Sequence, residues 1–226
     1  MDRLWEAVGF DLDYTLWDQD AFAGTFFCGI ARELGGRLGI GHDRVERALR
    51  GALARLTTSH PHLFDEALRG LGVEDPRLVA ELVERFHRHR PPLHPYPGAR
   101  AALAALRARG LRLFLVTDGV SETQRYKVEA LGLRDGFDER VYTGDFPRIL
   151  RKPSAFPFLL ACRRLGLRPG QCAYVGDNPA ADFEGPMALG MLTIGVATGP
   201  FAALPVPPGQ VPHRRIRRLE ELGEIL

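Results

Sequence analysis

Two carboxylates, Asp11 and Asp13, stand one residue apart where an apolar run ends at Asp11-Leu12-Asp13-Tyr14-Thr15-Leu16. In extended backbone, residues two apart point to the same side. The pair can therefore converge on one metal ion or one substrate atom. Three further segments carry polar groups that suit the same chemistry: Thr117-Asp118-Gly119, Arg151-Lys152-Pro153, and Gly176-Asp177-Asn178 followed by Asp182. Clustered carboxylates suit a cation that takes oxygen ligands, and Mg²⁺ takes one or two of them plus a substrate phosphate. A hydroxyl and an ammonium suit the remaining phosphate oxygens. Acid pair, metal, hydroxyl and lysine together describe a phosphoryl-transfer site.

The elements that position these residues are read from the apolar pattern. Leu4 to Phe10 reads as a buried strand ending at Asp11. From about Asp18 to Arg90 apolar residues recur three and four apart, as in Val45, Leu49 and Leu53, and in Leu78, Leu82 and Phe86; this is a helical period. Gly35-Gly36, Gly70-Leu71-Gly72 and Asp75-Pro76 read as turns or helix starts within it. The segment Pro91 to Gly98 holds four prolines and is a stiff linker, because proline fixes φ and lacks a donor.

Beyond it helices and strands alternate. Helices are expected over Arg100–Arg109, Glu122–Leu131, Ser154–Leu165 and Ala180–Leu189, and strands over Leu111–Val116, Arg140–Tyr142, Cys172–Val175 and Met191–Val196. Such alternation implies an α/β fold, a doubly wound parallel sheet covered on both faces. Active sites in these sheets form at the carboxyl ends of strands, and the strand ends are where the polar segments lie.

Composition limits the function classes. The 226 residues are 45% hydrophobic and 26% charged with net charge +2, which favours neither nucleic acid nor membrane as a partner. Asp2, Glu6 and Asp11 interrupt any apolar leader, and Cys28, Cys162 and Cys172 lack metal or redox spacing and read as buried thiols. A cytoplasmic location is expected. Of the basic residues only Lys127 and Lys152 are lysine, the other 28 being arginine, and Asn178 is the single asparagine.

The four polar segments, in this order, resemble the four motifs of the haloacid dehalogenase-like superfamily, in its phosphatase branch. Asp11-Leu12-Asp13-Tyr14-Thr15 resembles the DxDxT loop, Thr117 the hydroxyl closing the second motif, Lys152 the third-motif lysine, and Gly176-Asp177 through Asp182 the GDxxxxD motif. The resemblance spans about residues 4–16 and 95–200. It implies a core domain of residues 1–16 and 95–226, and an inserted helical cap of residues 17–94 that closes over the site, with hinges near Leu16–Asp18 and in the proline cluster. It further implies that Asp11 is a nucleophile forming an aspartyl-phosphate. Asp13 would be the acid–base group, and Thr117 with the Asp118 backbone would bind phosphoryl oxygens. Lys152 would neutralise charge, and Asp182 would orient Lys152 or a metal-bound water. Mg²⁺ would sit between Asp11, the Asp13 carbonyl and Asp177.

A carboxylate at position 13 favours phosphate esters over halides, since an alkoxide leaving group needs a proton. Relatives commonly carry Asn at position 118 and Gly or Asp at position 14, so Asp118 and Tyr14 depart from the pattern. The expected activity is Mg²⁺-dependent hydrolysis of a small phosphorylated metabolite by a monomer or homodimer. Rival readings are a β-phosphoglucomutase-type phosphomutase, a haloacid dehalogenase, or a non-catalytic binding protein on the same fold.

Other features have plainer readings. Phe22, Phe26 and Phe27 are expected in the core of the helical insert, with a substrate-facing ring as the lesser alternative. His60-Pro61-His62 and His87-Arg88-His89-Arg90 are expected to face solvent. The run from His213 to Arg218 is read as an amphipathic terminal helix with paired charges rather than a nucleic-acid contact.

Overall fold

Six stretches of three to six residues pair into a single parallel sheet. The structure, a computed structural model, describes residues 5–58, 60–203 and 206–226. The strands are β1 (Ala7–Phe10), β2 (Arg112–Thr117), β3 (Glu139–Tyr142), β4 (Cys172–Gly176), β5 (Leu192–Val196) and β6 (Arg214–Ile216), in the spatial order β3-β2-β1-β4-β5-β6. All pair in parallel. Every residue of β1 and β4 is buried, which is why these strands read as unbroken apolar runs rather than alternating ones. The expected first strand begins at Leu4, which lies outside the described residues; β1 itself starts at Ala7.

The chain builds outward from β1 to β2 and β3, then returns to add β4 on the other side. The strand order thus reverses between β1 and β4, the place where open α/β sheets bind ligands. Phe10 is level with Leu115 of β2 and Val175 of β4. Asp11, Thr117 and Asp177 consequently leave three adjacent strands at the same end of the sheet.

Two compact units make up the chain, Met1–Asp18 with Leu93–Leu226, and Gln19–Pro92. The second unit is helical: α1 (Gln19–Leu38), α2 (His42–Arg55), α3 (Leu63–Arg69) and α4 (Pro76–His87). Val45, Leu49 and Ala52 form the buried stripe of α2, and Leu78, Leu82 and Phe86 that of α4. Phe22 and Phe26 pack edge-on against Phe86 at 5.1 and 5.2 Å, and Phe26 lies 6.0 Å from Phe64. Asp75 starts α4 by accepting from the Arg77 and Leu78 amides at 2.9 and 3.2 Å, with Pro76 in the first turn where its missing N–H costs nothing. Gly35-Gly36 does not punctuate this unit. It lies inside α1, and the chain turns back so tightly after it that a β-carbon on Gly35 would meet the Ile40 carbonyl at 2.6 Å.

In the first unit α5 (Ala99–Ala108), α6 (Ser121–Ala130), α7 (Phe156–Leu165), α8 (Pro179–Asp182), α9 (Glu184–Ala188) and α10 (Leu222–Ile225) flank or follow the strands. Three expectations change here. The helix read over Ala180–Leu189 is two short helices broken at Phe183, since Pro186 cannot donate to the Asp182 carbonyl one turn back. The basic run read as terminal helix contains β6, with Ile216 buried and Arg214 and Arg215 exposed, a pattern that suits an edge strand. Cys28 is exposed on α1, whereas Cys162 and Cys172 are buried. Among the described residues no helix is long and apolar enough to cross a membrane.

Gly9 sits at the centre of the sheet, where a β-carbon would lie 2.2 Å from the Phe114 ring and 2.7 Å from the Tyr174 ring. Both rings are fully buried, and Phe158 packs on Tyr174 at 4.8 Å. Gly9→Ala should cost about 1–3 kcal/mol of stability through overpacking, seen as a lower urea midpoint with unchanged slope.

Candidate active site

Burial and charge, rather than shape, distinguish the carboxyl end of β1. Asp11 leaves the strand with its amide donating to the Val175 carbonyl at 2.9 Å and its carboxylate buried. Lys152, in the turn before α7, places Nζ 2.6 Å from Asp11 Oδ1 and 2.7 Å from Asp182 Oδ1. Its side chain is only 3% exposed. Asp182 ends α8, and its Oδ2 accepts the Asn178 amide at 2.9 Å. A β-carbon at Gly176 would clash with that carboxylate, so only glycine allows the β4 terminus to approach so closely. Asn178 itself caps α8 by accepting from the Ala180 amide at 3.1 Å.

Asp177 comes directly after β4, and its Oδ1 accepts from Thr15 Oγ1 at 3.0 Å. Its Oδ2 is buried and has no hydrogen-bond partner among the described residues. Carboxylate oxygens of Asp11, Asp177 and Asp182 lie within 4.8 Å of one another. If all three are ionised, one ammonium leaves two negative charges unbalanced. Burial, with Lys152 opposing and the neighbouring carboxylates adding to it, pushes Asp11 up to about 7. Burial and repulsion from Asp11 push Asp177 well up as well. Burial alone would lower Lys152, but Asp11 and Asp182 override it and hold the ammonium well above the ordinary lysine range. Hard oxygen ligands, an orphaned carboxylate oxygen and a shortage of positive charge fit a divalent cation, which these three carboxylates could hold.

Thr117 ends β2 with Oγ1 buried and likewise without a partner among the described residues. Asp118 is half-buried and accepts from Thr143 Oγ1. That bond gives the Asp118 side chain a structural partner. Tyr14 sits in the left-handed region at φ 59°, uncommon for a residue with a β-carbon.

Asp13 turns elsewhere. Its carboxylate is not part of the acidic cluster; Lys127 Nζ lies 2.9 and 2.8 Å from its two oxygens. Trp17 Nε1 donates to Oδ1 at 2.8 Å and Gln124 Nε2 to Oδ2 at 2.9 Å. The sequence motifs do not single out Lys127, Gln124 or Trp17. The signals that could have found them are the rarity of lysine, and Gln124 and Lys127 standing one helical turn apart.

The likenesses to known proteins agree with this geometry. Residues 5–190 match the family model "Hydrolase: haloacid dehalogenase-like hydrolase". A glyceraldehyde 3-phosphate phosphatase of Methanopyrus kandleri is 31% identical over 98% of this chain and 97% of its own. A phosphoserine phosphatase of Thermus thermophilus is 36% identical over 71% of this chain and 62% of its own. The crystal structure of a HAD phosphatase from Thermococcus onnurineus superposes with a TM-score of 0.68, at 28% identity over 97% of each chain.

The ammonium of Lys152 bridges Asp11 and Asp182. Lys152→Met strands two buried carboxylates and should cost about 3–5 kcal/mol, measured by urea denaturation at neutral pH. With the four polar segments gathered at the switch point of the sheet and the family model matching most of the chain, the protein belongs to the haloacid dehalogenase-like hydrolases.

Proposed function

We propose that the protein is a phosphatase that hydrolyses a small phosphate monoester through an aspartyl-phosphate on Asp11. The observation that carries this reading is the buried Asp11 carboxylate held 2.6 Å from Lys152 at the β1 terminus, beside acidic groups short of positive charge. A carboxylate so placed is oriented for attack and carries its own counter-charge against the incoming phosphate.

On this reading Asp11 attacks phosphorus, and the bond from phosphorus to the substrate's ester oxygen breaks. Asp13 gives a proton to that departing oxygen. A water then attacks the aspartyl-phosphate as Asp13 takes its proton, releasing inorganic phosphate and restoring both carboxyl groups. Thr117 Oγ1, which has no partner among the described residues, donates to a phosphoryl oxygen together with the Asp118 backbone N–H. Lys152 balances the charge that develops on the transferring group, and Asp182 holds Lys152 in place. Asp11, Asp177 and the Asp13 carbonyl would hold Mg²⁺, which when bound shields the anionic nucleophile from the anionic phosphate.

The relatives support esters of small metabolites as substrates, since two of them are named for glyceraldehyde 3-phosphate and phosphoserine. The carboxylate at position 13 supports an alkoxide leaving group over a halide. The helical unit of Gln19–Pro92 is the natural cap, the part that selects among esters.

The test is phosphate release from glyceraldehyde 3-phosphate, phosphoserine, phosphoglycolate and p-nitrophenyl phosphate, with and without Mg²⁺. We expect Mg²⁺-dependent release from at least one, and Asp11→Asn should lower kcat by about 10⁴-fold or more, as loss of a covalent nucleophile does. Asp177→Asn should raise the Mg²⁺ concentration needed for half-maximal rate while leaving the fold intact. Wild-type turnover that survives Asp11→Asn would overturn the assignment of the nucleophile.

A further inference from the structure

In a chain whose other 28 basic side chains are arginine, both lysines lie on the carboxylates of the first motif, each side chain only 3% exposed. Lys152 meets Asp11, and Lys127 meets Asp13. Lys127 projects from α6, and its Nζ spans both oxygens of Asp13 at 2.9 and 2.8 Å. One turn earlier Gln124 donates to Oδ2 at 2.9 Å, and Trp17, from the loop after β1, donates to Oδ1 at 2.8 Å. Each of these partners is a donor, and together they fix the plane and the rotation of the carboxylate.

Stability alone is a weak reason for this arrangement, because a buried ion pair seldom outperforms well-packed apolar residues of equal volume. The residue type argues further. A lysine ammonium is a compact point charge that can sit between two carboxylate oxygens, whereas a guanidinium is planar and larger. Lysine at position 127, in a sequence otherwise committed to arginine, marks a geometric requirement at Asp13.

We propose that Lys127, assisted by Gln124 and Trp17, is a positioning residue that fixes the Asp13 carboxylate for its two proton transfers; this rests on the acid–base reading of Asp13. Lys127 acts through Asp13 and takes no part in binding the phosphoryl group. Its loss should therefore reduce kcat and leave KM nearly unchanged. Misplacing a reacting group by about 1 Å costs on the order of 100-fold, so Lys127→Met should lower kcat by about 10- to 100-fold.

A double-mutant cycle tests this at saturating Mg²⁺, with whichever phosphate ester the wild type hydrolyses fastest. Wild type, Lys127→Met, Asp13→Ala and the double variant are compared by kcat and KM, and their folding is checked by thermal melting. The proposal expects Lys127→Met to lower kcat in the wild-type background and to change it by less than about 2-fold once Asp13 is gone, as coupled residues do. A loss of equal size in both backgrounds, or a lowered melting temperature with wild-type kcat, would show a merely structural lysine and overturn it. Should Lys127→Met fail to fold, Trp17→Phe removes one donor to Asp13 and is read in the same cycle by the same two outcomes. If Asp13→Ala keeps wild-type kcat, the acid–base reading fails and this inference with it. If Asp13→Ala is impaired and Lys127→Met is not, the inference fails alone.

Discussion

Three carboxylates gathered at the ends of two strands and a short helix repel one another, and burial makes each negative charge costlier still. Lys152 makes that gathering possible. Its ammonium bridges Asp11 and Asp182 at 2.6 and 2.7 Å, joining the turn before α7 to the ends of β1 and α8. One cation does not balance three acids, and the shortfall shows in the upward push on Asp11 and Asp177. The cluster is thus left short of positive charge. On the proposed reading the same deficit draws a divalent cation in and lets an anionic nucleophile face an anionic substrate.

The sheet supplies the placement that this electrostatic arrangement needs. Because β1 lies between β2 and β4 in register, residues at the end of each strand share one rim without any long reach of side chains. The small residue Gly176 lets the end of β4 close on Asp182, and Thr15 ties Asp177 back to the first loop. Asp13 lies on the same loop as Asp11 yet belongs to a different set of contacts, held by α6 rather than by the acidic cluster. Two carboxylates two residues apart thereby acquire different environments, and a pair of acids needs different environments to perform different tasks.

Much of this was legible in the residues. Apolar runs ending in Asp11, Thr117 and Asp177 placed three strand termini correctly, since fully buried parallel strands have a pattern that few other elements share. The stripes Leu78-Leu82-Phe86 and Val45-Leu49 marked helices through their three- and four-residue spacing. What was not legible depended on neighbours distant in sequence. The strand β6 is only three residues long and basic, and its pairing with β5 rather than its composition makes it a strand. Gly35 resembles a turn in isolation but lies within α1, where the Ile40 carbonyl comes too close for a β-carbon. The orientation of Asp13 toward Lys127 spans 114 positions, and no local pattern encodes it; only the scarcity of lysine hinted that position 127 matters.

The proposed chemistry requires Asp11 to form a covalent bond to phosphorus. The direct measurement is to mix enzyme, Mg²⁺ and its fastest ester, quench in acid within a turnover, reduce with borohydride and map the peptides by mass spectrometry. An aspartyl-phosphate is reduced to homoserine, so homoserine is expected at position 11 with Asp13 and Asp177 unchanged. Unmodified Asp11 in enzyme quenched during active turnover, or homoserine at position 13 or 177 instead, would contradict the role of Asp11 as nucleophile.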